Sequence, residues 1–245
     1  MPRVNIRGTI IPNNQKRAYE WYGWDATCPN DVEKALTETA DGEILEVYVD
    51  SPGGSVPAGS DIYTMLREAA ERVRVELTIT GQACSAASVI AMAGYCRMSP
   101  TALLMVHCAS SWTSGNHRAM EQALQMLNTA DRAICTAYVA KTGMSEEDAL
   151  NLMEQETWLT AEKAKSYGLI DEVMFENNVG AAITNAEGPM LTDEQIARAM
   201  EAIEQQEREQ EKEQVNELPD GTDPEALRAA QIHLDFLNLK NKVIV

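Results

Sequence analysis

Apolar and polar positions trade places along most of this chain in two distinct rhythms. The opening stretch RVNIRGTII, from Arg3 to Ile11, reads as a strand. PNDVEKALTETA then starts a helix, with Asn30 in place as an N-cap and Glu33 three residues on. EILEVYVD is a second strand, and SPGGSVPAGSDIYTMLREAAERV turns through Gly53-Gly54 into a helix. RVELTIT is a third strand that breaks at Gly81-Gln82, before SAASVIAMAG continues as a buried helix and TALLMVH as another strand. From Arg118 to Lys141, Met120, Leu124, Leu127, Ala130, Ile134 and Tyr138 recur at helical spacing and predict one long helix. A shorter helix follows from Ser145, whose hydroxyl can cap it with Asp148 closing the box. TWLTAEKAKSYGLIDEVMF reads as a capped helix, a stop at Gly168 and a last strand. Strands that alternate with helices imply βαβ crossovers and a largely parallel sheet, an α/β fold of two or more layers.

After Glu176 the rhythm changes. Residues 178–190 are rich in small and turn residues and read as a linker. Residues 191–245 open with a Thr192/Gln195 capping box, become strongly acidic and lose their apolar face after about Ile203. Such a segment is a solvated, partly disordered helix, or else an arm for self-association or scaffold contact.

Composition narrows the function classes. A net charge of −18 argues against a nucleic-acid surface, which needs clustered Lys and Arg, and against an anionic membrane. Aromatic residues make up only 5% of the chain, so the core must be built from Ala, Leu, Ile, Val and Met. The five cysteines, Cys28, Cys84, Cys96, Cys108 and Cys135, show no C-x-x-C or Cys/His metal spacing and read as reduced thiols. No signal-peptide core and no run of transmembrane length stands in the sequence, so a soluble, cytoplasmic protein is expected.

Four stretches could carry chemistry. In TITGQACSAASVIAMAG, Ser85 falls at a strand-to-helix junction, where backbone N–H groups are unpaired and the helix dipole is positive. A serine there is either an N-cap or a nucleophile whose oxyanion free amides can meet. It is not in a G-x-S-x-G elbow. In YVDSPGGSVPAG, two glycines leave backbone amides unobstructed, which is an ordinary turn or a source of oxyanion donors. Neither phosphate-loop pattern is present. His107 closes an apolar strand 22 residues after Ser85, as a structural histidine or a base; His117 and His233 lie in polar contexts. Asp171 interrupts an apolar strand and needs a cation or hydrogen-bond donors, a histidine among them.

SPGG, GQACS, MVH and YGLID, in this order, resemble the motifs of the ClpP peptidase family over roughly Arg3 to Phe175. The resemblance implies a crotonase-like α/β superhelix of βα units over residues 1–177. It implies a serine endopeptidase with Ser85 as nucleophile, His107 as general base and Asp171 as third member. It further implies an oxyanion hole of the Gly54 and Ala86 amides, with Gly53 in the substrate-binding turn, and no metal or cofactor. Partners implied are protein or peptide substrates and further copies of the chain in a homo-oligomeric ring, with neither nucleic acid nor membrane. The sequence departs from the family where Cys-Ala-Ser-Ser, not Gln-Pro, follows His107 and where SWTSGNHRAM replaces a Gly-rich segment. Few residues precede the first strand, so the family's axial loops and a docked ATP-driven unfoldase are not expected. With the acidic extension, this architecture looks like the ClpP-related head maturation (prohead) proteases of tailed phages, which process scaffold or capsid protein inside the procapsid in the host cytoplasm.

Several alternatives stay open on sequence. Cys84 or Cys108 could act as the nucleophile with His107. A Ser/Lys dyad fits less well, because His107 and Asp171 both have roles. A crotonase-type acyl-CoA enzyme would use the amide pair without the serine. A capsid-assembly or scaffold protein could carry an inactive domain of the same fold.

Overall fold

In the computed structural model, residues 2–176 are described, together with three helical positions beyond them, Arg198, Ala202 and Gln205. The linker and acidic-extension expectations therefore lie outside the described residues.

The chain runs β1 (Arg3–Ile10), α1 (Lys16–Tyr22), β2 (Ala26–Thr27), α2 (Pro29–Thr37), β3 (Ile44–Gly54), α3 (Val56–Ala69) and β4 (Arg74–Cys84). It continues through α4 (Ala86–Ala91), β5 (Tyr95–Met98), β6 (Leu103–Val106), α5 (His117–Thr142), α6 (Glu146–Glu154), β7 (Thr157–Leu159), α7 (Ala161–Ser166) and β8 (Glu172–Val173). The sheet order is β2-β1-β3-β4-β5-β8, with every neighbour on that path parallel. β6 pairs with β4, and β7 pairs antiparallel with β6. This is the expected α/β fold of parallel strands and packed helices.

β4 serves two neighbours in succession. Its first half pairs with β5 through Glu76–Ile79, and its last residues, Gln82–Cys84, pair with β6. The change of partner occurs at a bulge: Val49 faces Ile79, but Ser51 already faces Ala83. An extra length of strand on one side bends it locally. Gly81 sits in the bulge because a Cβ there would collide with the Asp50 carboxylate, whose Oδ1 accepts the Gln82 N–H at 3.2 Å. The Gly-Gln break expected from sequence is thus a bend inside one strand, and the strand runs on to Cys84.

Small residues make the core close. All six residues of α4 are buried, and Gly59 of α3 lies so near that a Cβ on it would come within 2.8 Å of Ala86 Cβ. The largest fully buried side chains are Ile, Leu and Met, as the aromatic-poor composition requires. Two helix starts differ in detail from the sequence reading. α2 is capped by Cys28, with Pro29 at its first turn and the Asp31 carboxylate accepting the Cys28 N–H at 2.9 Å, in place of Asn30 and Glu33. Pro29 explains the shift, since its missing N–H suits the first helical position. At α6, Ser145 caps as expected, accepting from Asp148 N and donating to Asp148 Oδ2 at 2.6 Å.

Candidate active site

The bulge in β4 and the parallel pairing of β4 with β6 decide what meets at the C-terminal end of the sheet. Cys84 faces Met105, and the Ser85 N–H donates to Met105 O at 3.1 Å. Ser85 therefore ends one strand beside the end of the next, which His107 follows after Val106. Adjacent strands lie about 4.8 Å apart, so the serine and histidine side chains share one locality. Both are half-buried in an otherwise buried neighbourhood.

Ser85 holds φ 54 and ψ −125, a conformation that a residue with a Cβ rarely adopts. It occupies the N-cap position of α4, yet its hydroxyl makes no capping bond. Of the two roles open to this serine on sequence, the position is that of a cap, but the hydroxyl does not fill the capping role. Strain of this kind costs on the order of 1–3 kcal/mol and persists only where surrounding contacts over-determine it. Those contacts are visible. Ser85 O accepts from Ser88 N at 2.9 Å and from Ser88 Oγ at 2.6 Å. Ser88 Oγ in turn lies 2.8 Å from the buried Tyr138 hydroxyl on α5. Since the single Ser88 proton goes to Ser85 O, Tyr138 must be the donor to Ser88 Oγ. Burial holds the Tyr138 phenol well above its ordinary pKa, which keeps it a donor.

The glycine turn packs directly against Ser85. Gly53 has φ 97, and a Cβ on it would stand 2.6 Å from Ser85 Cβ and 3.0 Å from Ala86 N. Its own amide is taken, donating to Ser51 Oγ at 3.1 Å, while the fully buried Ser51 hydroxyl donates to Gly8 O at 2.6 Å. Ser55 N donates to Ile10 O at 2.8 Å, which turns Ser55 toward β1. Ala86 is the first residue of α4, ahead of the first bonds into that helix, which Ser88 and Val89 make to Ser85 O. Gly54 and Ala86, the amides expected as oxyanion donors, stand on the two elements that meet at Ser85. Gly53→Ala should displace Ser85 and lower its reaction with a fluorophosphonate at least about 10²-fold, the cost of a misplaced donor or nucleophile. Normal labelling of that variant would contradict this geometry.

The expected third member stands elsewhere. Asp171 Oδ2 accepts from Cys96 N at 2.6 Å and from Lys141 Nζ at 2.5 Å, and Lys141 also donates to Gly94 O at 2.8 Å. Asp171 N donates to Cys96 O, and Cys96 faces Leu77 of β4. From Leu77 to Ser85, just past the end of β4, is eight positions, roughly 26 Å at about 3.3 Å per residue. The structure does not bring Asp171 to His107. The cation this carboxylate requires is Lys141, whose side chain is only 11% exposed.

The β6–β7 register points to a different carboxylate. Leu104 faces Leu159, Met105 faces Trp158 and Val106 faces Thr157. The next pair in that antiparallel register is His107 and Glu156. Glu156 has φ 48, one of three non-glycine residues with positive φ among those described, with Ser85 and Phe175. Glu156 directly follows the C-cap of α6, where helices commonly end in a left-handed residue, so its positive φ belongs to the turn that carries the chain from α6 into β7. The sequence reading missed Glu156 because it falls among the acidic residues of α6 and its turn, and because β7 is only three residues long. The β-prone triplet Thr157–Leu159 between two helices was the available signal.

Neither thiol beside the site is an activated nucleophile. Burial raises the Cys84 pKa above the usual thiol range, and Cys108 is pushed up to about 11 by burial, with Asp131 and Glu154 adding to it. Both are neutral thiols at pH 7. No group of His, Cys, Asp and Glu among the described residues could hold a metal ion, and none of their helices is long and apolar enough to cross a membrane.

Beside the serine a cavity of about 170 Å³ opens between α3, α4 and α5, lined by Val56, Tyr63, Ala86, Val89, Ile134 and Ala137 among others. Ala86, whose amide is an expected oxyanion donor, lines this cavity.

Comparison with known proteins concerns the family and the fold. A family model described as Clp protease matches residues 34–177. The ATP-dependent Clp protease proteolytic subunit 1 of Chlamydia abortus is 30% identical over 149 residues, covering 58% of this chain and 76% of the relative. The ATP-dependent Clp protease proteolytic subunit of Bacteroides fragilis is 30% identical over 138 residues, covering 55% of this chain and 66% of the relative. Among solved structures, a ClpP1 mutant from Listeria monocytogenes superposes with a TM-score of 0.57 at 21% identity, over 71% of this chain and 91% of that one, a likeness of fold.

Proposed function

Since the chain belongs to the Clp protease family of serine peptidases, we propose that it is an endopeptidase acting through an acyl-enzyme on Ser85. His107 takes the Ser85 proton as Oγ attacks the scissile carbonyl. The Gly54 and Ala86 amides receive the oxyanion, and His107 returns the proton to the leaving amine. A water deprotonated by His107 then attacks the acyl-enzyme and releases the new carboxylate, restoring Ser85. Glu156, opposite His107 in the β6–β7 register, orients the imidazole and stabilises its charged form. The observation that carries this reading is the strained Ser85 backbone, whose hydroxyl makes no capping bond, at a strand end paired with the strand that His107 follows. Asp171 has a structural part, locking the last strand to α5.

The cavity beside Ala86 receives the substrate side chain on the acyl side of the cut. An aliphatic cavity of about 150 Å³ holds a benzene-sized group, so Leu, Met or Phe suits the space of about 170 Å³. Peptides with Leu at that position should be cut about 10–10²-fold faster in kcat/KM than those with Gly, and Asp there should be rejected more strongly. Hydrolysis of a fluorogenic peptide series checks this, and equal rates for Leu and Asp would contradict it.

The family assembles homo-oligomeric rings and acts on protein substrates. We assign this chain the finer role of processing scaffold or capsid protein during phage head maturation. The support is the acidic, helix-patterned sequence that follows the protease domain. Co-expression with a cognate scaffold protein should give cleaved scaffold with the wild type and intact scaffold with Ser85→Ala. Intact scaffold in both would remove this role while leaving the peptidase reading in place.

A further inference from the structure

The segment that carries His107 leaves β6 and has no regular structure until α5 begins at His117. A general base on an irregular segment must be held by something, because a shift of about 1 Å can cost about 10²-fold in rate. Two successive amides after His107 are held from different elements. Cys108 N donates to Met153 O, at the end of α6, at 3.2 Å. Ala109 N donates to Asp131 Oδ1, on α5, at 2.6 Å. The second is a short bond from an amide to an ionised acceptor, the stronger class of hydrogen bond. Asp131 is half-buried and also engages the Cys108 side chain. It stands seven residues before Tyr138, about two turns along the same face of α5. One helix thus reaches both catalytic segments, the Ser85 turn through Tyr138 and Ser88, and the His107 segment through Asp131.

We propose that Asp131 is a positioning residue for the general base, fixing the His107 segment to α5 through the Ala109 amide. It has no contact with the reacting atoms and acts only through the backbone it holds. The sequence after His107 is Cys-Ala-Ser-Ser, none of which restricts its backbone as a proline would. The restraint comes instead from across the fold, in a carboxylate 22 residues away from the amide it binds.

This inference rests on the reading of Ser85 and His107 as nucleophile and base. Its test compares wild type, Asp131→Leu and Asp131→Asn in the full chain, by the second-order rate of Ser85 labelling with a fluorophosphonate. Asn keeps an oxygen that can accept the Ala109 N–H but loses the charge, whereas Leu loses both. Labelling should slow about 10-fold or more in Asp131→Leu and stay within about threefold of wild type in Asp131→Asn. Hydrogen–deuterium exchange of the peptide spanning residues 107–116 should quicken in Asp131→Leu alone. A purely structural role would lower the melting point and the fraction of labelled chains, but not the labelling rate of the folded fraction. A labelled wild type whose Asp131→Leu variant reacts at the same rate overturns the inference alone. Equal slowing in both variants overturns the hydrogen-bond basis. A wild type that takes no probe overturns the underlying reading, and the inference with it.

Discussion

Ser85→Ala is expected to lower peptide hydrolysis on the order of 10⁶-fold, with the fold unchanged. The size follows from how the site is built. The hydroxyl is the only atom of the residue that does chemistry, and it takes no part in capping α4. Its removal therefore breaks no hydrogen bond that supports the structure. The backbone strain at φ 54 is retained in the alanine variant, and Ser88 and Tyr138 still hold the carbonyl. A matched melting point beside the lost activity is the expected pattern. The residual rate should be that of the amide pair acting on water, about 10³–10⁴ above the uncatalysed reaction. An alanine variant that still cuts at a tenth of the wild-type rate would point to another nucleophile. A crotonase-type acyl-CoA enzyme would instead bind acyl-CoA and show no serine reactivity in either form, since it has no use for the serine.

Two carboxylates should respond in opposite ways to loss of charge. Glu156→Gln is expected to lower kcat about 10⁴-fold, as when the carboxylate behind a catalytic histidine becomes an amide that favours the wrong tautomer. The melting point should barely move, because Glu156 is exposed. Asp171→Asn should leave kcat per active site within about twofold. It weakens a pair whose lysine is 11% exposed and cannot turn to water without leaving Gly94 O. That should cost about 1–3 kcal/mol, or a melting point lower by roughly 2–12 °C for a domain of this size. Kinetics with active-site titration, set beside thermal unfolding, separates the two. If Asp171→Asn removes activity and Glu156→Gln does not, the assignment of the carboxylates is reversed.

The contrast between those residues shows what a sequence can and cannot disclose. Ser85 and His107 could be singled out because each directly follows a strand, and the ends of neighbouring parallel strands lie side by side. Asp171 was legible as a carboxylate in need of a cation, but the cation is Lys141, thirty residues earlier on α5. Which lysine on a long helix faces a given strand depends on packing, and its spacing along the chain carries no sign of it. Glu156 was hidden by its neighbours: one acid among several on a polar helix end gives no contrast. Only the β6–β7 register singles it out, through three residue pairs that periodicity cannot resolve. β4 shows the same limit on a larger scale. Gly81-Gln82 marks a real irregularity, yet whether a glycine ends a strand or bends it depends on what approaches it, here the Asp50 carboxylate.

The most direct test of the site is the mass of the wild-type chain after treatment with a fluorophosphonate, followed by mapping of the modified peptide. One adduct per chain on Ser85, slowed by both His107→Ala and Glu156→Gln and unaffected by Asp171→Asn, is the predicted result. An adduct on any other residue, or none on a folded wild-type chain, would contradict it.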